Sequence, residues 1–158
     1  MAVLVFVDVE GSGHATPATG IMSEFGAVEY KTGREFHGIT SEYKAQLRNK
    51  PMIGLEQTMK NFEAWLLSFD SRPVMVSDNP AYDFMWIAFY FDKYLGRNPL
   101  GHSARRISDF YAGLTKNWRN TQRWKKWRVT PHTHHPVEDC RGNVEAFRTM
   151  CERYSIDV

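Results

Sequence analysis

A chain of 158 residues, 42% hydrophobic and 24% charged, has the size and balance of one compact domain. It is too apolar for a disordered segment and too short for two ordinary domains joined by a linker. Twenty lysines and arginines against 18 acids leave a net charge of only +2, so bulk charge alone marks neither a nucleic-acid binder nor an acidic tail.

The apolar run at residues 2–7 follows no basic residue and meets acids at once, so it reads as neither signal peptide nor membrane span. Residues 3–9 are apolar on both faces, which predicts a buried central strand. Residues 21–30 and 34–39 read as two more strands joined by a tight turn at Lys31-Thr32-Gly33, giving an antiparallel meander with the first. Leu55, Met59, Phe62, Leu66 and Phe69 repeat at the spacing of an amphipathic helix over 55–69. A short strand follows at 73–77. Asn79-Pro80 then predicts an N-cap and first helical residue, with Phe84, Ile87, Ala88, Phe91 and Leu95 facing inward and Gly96 closing the helix. Residues 106–110 read as a fifth strand running into a short helix near Leu114.

From 116 to 128 the chain carries Lys116, Arg119, Arg123, Lys125, Lys126 and Arg128 with no acid, interleaved with Trp118, Trp124 and Trp127. Cations with aromatic faces suit the phosphates and bases of a single strand. The bland alternative is that the tryptophans pack against the body or a second subunit and their neighbours are solvated. A final helix starts near Pro136 with Val137, Cys140, Val144, Phe147, Cys151 and Tyr154 on one stripe. Cys140 and Cys151 would lie roughly 16 Å apart along its axis, too far for a disulfide. Reduced thiols place the chain in the cytoplasm. The whole pattern predicts an α/β fold: a mixed central sheet, part antiparallel meander and part parallel, flanked by helices.

Three segments carry chemistry. Asp8 and Glu10, two apart at the end of the first strand, emerge on one face, where their charges repel unless solvated, protonated or bridged by cations. Gly11-Ser12-Gly13 follows them, with a backbone flexible enough for a nucleotide to lie close. Asp83 stands in the first turn of the helix opened by Asn79-Pro80, where the helix dipole alone would also favour an acid. Last comes His132-Thr133-His134-His135 before Pro136-Val137-Glu138-Asp139, an imidazole-rich loop meeting an acidic helix start.

In this order, Asp-x-Glu, Asp and His-x-x-x-x-Asp, the chain resembles the DEDDh family of 3'-to-5' exonucleases. The resemblance extends through residues 22–28 (MSEFGAV) and 79–83 (NPAYD) and spans nearly the whole chain. In compactness and wording it is similar to small stand-alone members such as the mycobacterial exoribonuclease group and phage exonuclease A. It implies a ribonuclease H-like fold and two Mg²⁺ or Mn²⁺ ions held by Asp8, Glu10, Asp83 and Asp139. It implies a histidine general base five positions before the last aspartate, which selects His134 over His135, while Glu10 shares in the chemistry. Hard carboxylate oxygens suit such ions, and two of them would serve an in-line phosphodiester displacement. The expected substrate is the 3' end of single-stranded RNA or DNA, RNA slightly ahead, cleaved to nucleoside 5'-monophosphates. Gly11, Ser12, Asn79, Arg123, Lys125 and Lys126 are the expected substrate contacts, in an enzyme that resemblance makes a homodimer. Two other readings stand beside this one. One is a non-catalytic nucleic-acid-binding module on the same fold; the other is a zinc site from His132, His134 or His135 with Cys140, which lacks a fourth ligand.

Overall fold

The computed structural model describes residues 2–12 and 16–158; Gly13, expected to flank the substrate, lies outside them. Strand β1 (Val3–Ser12) occupies the middle of a five-stranded sheet in the order β3-β2-β1-β4-β5. It pairs antiparallel with β2 (Ile21–Glu29), which pairs antiparallel with β3 (Glu35–Ile39), and parallel with β4 (Pro73–Ser77), which pairs parallel with β5 (Arg105–Arg106). This is the expected mixed sheet, with β1 at the junction of its two halves.

The alternation of β1 divides the core. Val5, Val7 and Val9 face the helices α2 (Leu55–Leu67) and α3 (Pro80–Leu95), packing with Met59, Phe62, Leu66, Trp86, Ile87 and Phe91. Leu4 and Phe6 face the other way, onto α5 (Pro136–Tyr154), with Val137, Cys140, Val144, Phe147 and Cys151. The period of two continues past the apolar residues, so Asp8 and Glu10 share the α5 face with Leu4 and Phe6. Burying apolar side chains on both faces is what holds this central strand.

Several boundaries differ from the expectation. Helix α1 (Glu42–Arg48) has no counterpart in the sequence reading: only Ala45 of it is buried, so it shows no apolar stripe, although Ser41 caps it by accepting from the Lys44 amide at 3.3 Å. The fifth strand is only two residues long, and α4 (Ile107–Leu114) begins at once, because Ile107, Ser108, Tyr111 and Ala112 are buried at helical rather than alternating spacing. On α3 the buried stripe is rotated: Trp86 and Tyr90 are inside while Phe84 and Ala88 are only half-buried. Asn79 occupies the N-cap position of α3, but its side chain makes no cap bond; its amide donates to Ser77 Oγ at 2.9 Å.

The basic tryptophan stretch contains a 3₁₀ helix, Arg123–Trp127, and is divided between core and surface. Trp124 is fully buried and donates to Ser108 Oγ and the Thr121 carbonyl, Trp127 packs edge-on against Tyr111, and Trp118 is 82% exposed. Cys140 and Cys151 are free and buried. No helix among the described residues is long and apolar enough to cross a membrane.

Candidate active site

The site forms where β1 outlasts its parallel neighbour. Pairing with β4 ends at Phe6, so the Val9 amide has no strand partner on that side, and Asp83 Oδ1 from the first turn of α3 accepts it at 3.1 Å. Ser77, at the end of β4, donates its hydroxyl to Asp83 Oδ2. On the other face the N-terminus of α5 presses directly on β2 at Gly26: a Cβ there would lie 2.4 Å from the Pro136 carbonyl carbon and the Val137 amide. Gly26 pairs with Asp8 across the sheet, so this close approach delivers Asp139 beside Asp8 and Glu10. Oxygens of Asp8, Glu10 and Asp139 all lie within 4.8 Å of one another.

Asp139 is 1% exposed and fixed through one oxygen. Its Oδ1 accepts from Arg128 Nη2 at 2.9 Å and the Thr133 amide at 3.2 Å, and His132 Nδ1 lies 2.9 Å away. Oδ2, equally buried, has no hydrogen-bond partner among the described residues. A buried acceptor without a donor is costly. Burial pushes the Asp8 carboxyl well above the usual carboxylate range, helped by the charges of Asp83, Asp139 and Glu10 and opposed by Arg128. Burial likewise pushes Asp83 up to about 7, against the pull of its bonds from Ser77 and Val9. An orphan oxygen among repelling carboxylates fits a cation, and hard oxygen donors of this kind suit Mg²⁺ or Mn²⁺.

The two candidate histidines part company. His134 adopts the left-handed backbone region (φ 58°) and stands 73% exposed, with Nδ1 3.5 Å from Glu10 Oε1. His135 turns the other way, half-buried, its ring 4.9 Å from that of His37 in a separate charged cleft with Glu35, Lys50 and Arg141. The zinc arrangement does not assemble: Cys140 Sγ is buried and donates to the Gly26 carbonyl, and among the described residues only Asp8, Glu10 and Asp139 gather as possible metal ligands.

Of the expected substrate contacts, Lys125 lines a cleft of about 340 Å³ with Asp8, Asp78, Arg128, His132 and Asp139, and its Nζ reaches Asp78 Oδ2 at 2.5 Å. Arg123 and Lys126 are exposed on the adjoining 3₁₀ helix, Lys126 over the Trp127 ring. Gly11 sits under Tyr82, whose hydroxyl would be 2.4 Å from an added Cβ, so its missing side chain makes room for Tyr82. Ser12 donates to the Ile21 carbonyl across the hairpin. Arg128 and His132, which grip Asp139, were legible only as part of a charged stretch and a histidine cluster.

No model of a known protein family matches the chain. A curated relative, the 3'-5' DNA exonuclease Cap18 of Escherichia coli, is 28% identical over 170 aligned residues, covering 94% of this chain and 91% of its own. The nuclease domain of 3'hExo, a DEDDh family member solved with rAMP, superposes with a TM-score of 0.69 at 12% identity, covering 96% of this chain and 92% of its own. Escherichia coli exonuclease I in a zinc-bound complex with single-stranded DNA gives a TM-score of 0.62 at 14% identity over 96% of this chain, which spans only 40% of that larger protein. The relative supports a 3'-5' exonuclease, and the solved neighbours, at 12–14% identity, share the fold. The mixed five-stranded sheet with its flanking helices is the ribonuclease H-like fold that the sequence led us to expect.

Proposed function

We propose that this chain acts as one exonuclease domain that removes nucleotides from the 3' end of single-stranded nucleic acid as nucleoside 5'-monophosphates, with DNA preferred over RNA. The motifs alone leaned slightly to RNA; a relative named for DNA and neighbours solved with single-stranded DNA move the preference. The observation that carries the catalytic reading is the orphan Oδ2 of Asp139, buried within a cluster whose oxygens lie within 4.8 Å.

In this reading Asp8, Glu10 and Asp139 hold one divalent ion, and Asp8, with Asp83 behind it, serves a second. Bound there, the ions supply the positive charge that an in-line phosphodiester displacement demands. His134 has the exposure and the position beside Glu10 to take a proton from the attacking water, a task suited to imidazole near neutral pH. Arg128, His132 and the Thr133 amide gather on Oδ1 of Asp139, which leaves the buried Oδ2 for a cation. Lys125, Arg123 and Lys126 receive the strand's phosphates, and exposed Trp118 offers a stacking face. A homodimer in the cytoplasm completes the reading.

Single-stranded DNA and RNA labelled at either end, incubated with Mg²⁺, Mn²⁺ or EDTA, test it. A ladder shortening from the 3' end, faster on DNA, silent in EDTA and in Asp8→Asn, is expected. Strand binding without cleavage under every metal condition would overturn the enzyme in favour of a binding module.

A further inference from the structure

We propose that Arg48 is a positioning residue for His134, holding its backbone from a fully buried carboxylate on the neighbouring strand. This inference rests on the reading of His134 as the general base. Arg48 ends α1, the helix that showed no stripe in the sequence. Its guanidinium grips Glu24 in a fork, Nε to Oε2 at 3.1 Å and Nη2 to Oε1 at 2.8 Å, and the same Nη2 donates to the His134 carbonyl at 3.0 Å. Such a planar fork fixes direction as well as charge.

Glu24 is an anchor of unusual strength. Its side chain has no exposure, yet Lys44 Nζ at 2.6 Å, His37 Nε2 at 3.0 Å and Arg48 all meet its two oxygens. Burial alone would raise its pKa, and these partners bring it well below the usual carboxylate range. In the β1–β2 register Glu24 is directly opposite Glu10. The His134 loop is therefore spanned from one rung of the sheet, its carbonyl held through Glu24 and Arg48 while its ring reaches Glu10 at 3.5 Å.

Two further features agree. His134 is one of four non-glycine residues with positive φ among the described residues, a conformation that persists where surroundings impose it. His37, bonded to Glu24, is also the ring on which His135 packs. One buried carboxylate thus holds His134 toward the acidic cluster through Arg48 and occupies His135 on the far side through His37.

The test compares wild type, Arg48→Met, Arg48→Lys, His134→Ala and the double variant Arg48→Met with His134→Ala. Each is assayed on labelled single-stranded DNA or RNA, whichever wild type degrades faster, with thermal unfolding run alongside. Arg48→Met is expected to lower kcat at least tenfold with KM changed less than threefold. Arg48→Lys, which keeps a charge on Glu24 without the fork, should recover part of that and stay folded if the methionine variant does not. Combined with His134→Ala, the Arg48→Met change should cost less than twofold more. The same loss in both backgrounds, or a raised KM at unchanged kcat, would overturn the positioning role. Full activity of His134→Ala would overturn the base assignment and this role with it. An inactive His134→Ala beside wild-type rates for both Arg48 variants would overturn the Arg48 role alone.

Discussion

At the scale of single residues, the site is a set of groups that electrostatics sets against one another. Asp8 and Asp83 both sit above the usual carboxylate range, chiefly through burial. A carboxyl whose folded pKa exceeds its unfolded one contributes its stability in full below the unfolded value and loses it as pH rises through the folded value. For Asp83 that window runs from 3.8 to about 7. In EDTA, the stability contributed by this pair should therefore fall as pH rises across the window, and Asp8→Asn should melt higher than wild type near neutral pH while its nuclease rate drops at least a hundredfold, more than is typical of losing an outer-shell partner. Melting curves in EDTA across pH, with a rate assay in Mg²⁺, check both halves. Restoring a divalent ion at a hundred times its Kd adds about 2.7 kcal/mol, roughly 5–10 °C of Tm for a chain of this size. A Tm indifferent to Mg²⁺ and Mn²⁺ would mean that the cluster binds neither.

At the scale of elements, the site exists because helix ends are brought to one place on β1. The first turn of α3 supplies Asp83 to an amide that β4 no longer covers, and the first turn of α5 supplies Asp139 because Gly26 leaves no Cβ beneath it. Gly26→Ala should force α5 off β2, costing about 1–3 kcal/mol as an overpacked core does, and it should weaken Mn²⁺ binding because Asp139 moves with the helix. Denaturant unfolding and calorimetric titration measure the two effects; an unchanged midpoint would show that α5 has slack here. Most elements were legible: β1 from its apolar run, β2 and β3 from the turn between them, and α2 and α5 from the spacing of their apolar stripes. Helix α1 was not, since a surface helix held by Arg48 and Lys44 to a buried acid has no apolar face to repeat. The two-residue β5 is shorter than expected because the burial from Ile107 onward follows helical spacing, which so short a stretch as 106–110 does not reveal.

For the whole molecule, the basic stretch at 116–128 proves to be two things at once, a core tryptophan at 124 and a charged rim beside the acidic cleft. Changing two of the exposed cations, Arg123→Ala with Lys126→Ala, should weaken strand binding without lowering Tm and should flatten the salt dependence of log K by about 1.4, at about 0.7 per lost phosphate contact. Titrations at several salt concentrations, in EDTA to prevent cleavage, read that slope; an unchanged slope would place the strand elsewhere. The sequence by itself determined the run, apolar on both faces, that makes β1 central, the placing of acids at strand and helix ends, and the order of those acids, because each is a local pattern along the chain. Only the tertiary structure decided that Asp139 offers a single free oxygen, that Arg128 and His132 hold the other, and that His134 turns to Glu10 while His135 turns to His37. The reason is distance along the chain: Arg48 meets His134 across 86 residues, a contact set by how sheet and helices pack and carried by no local repeat.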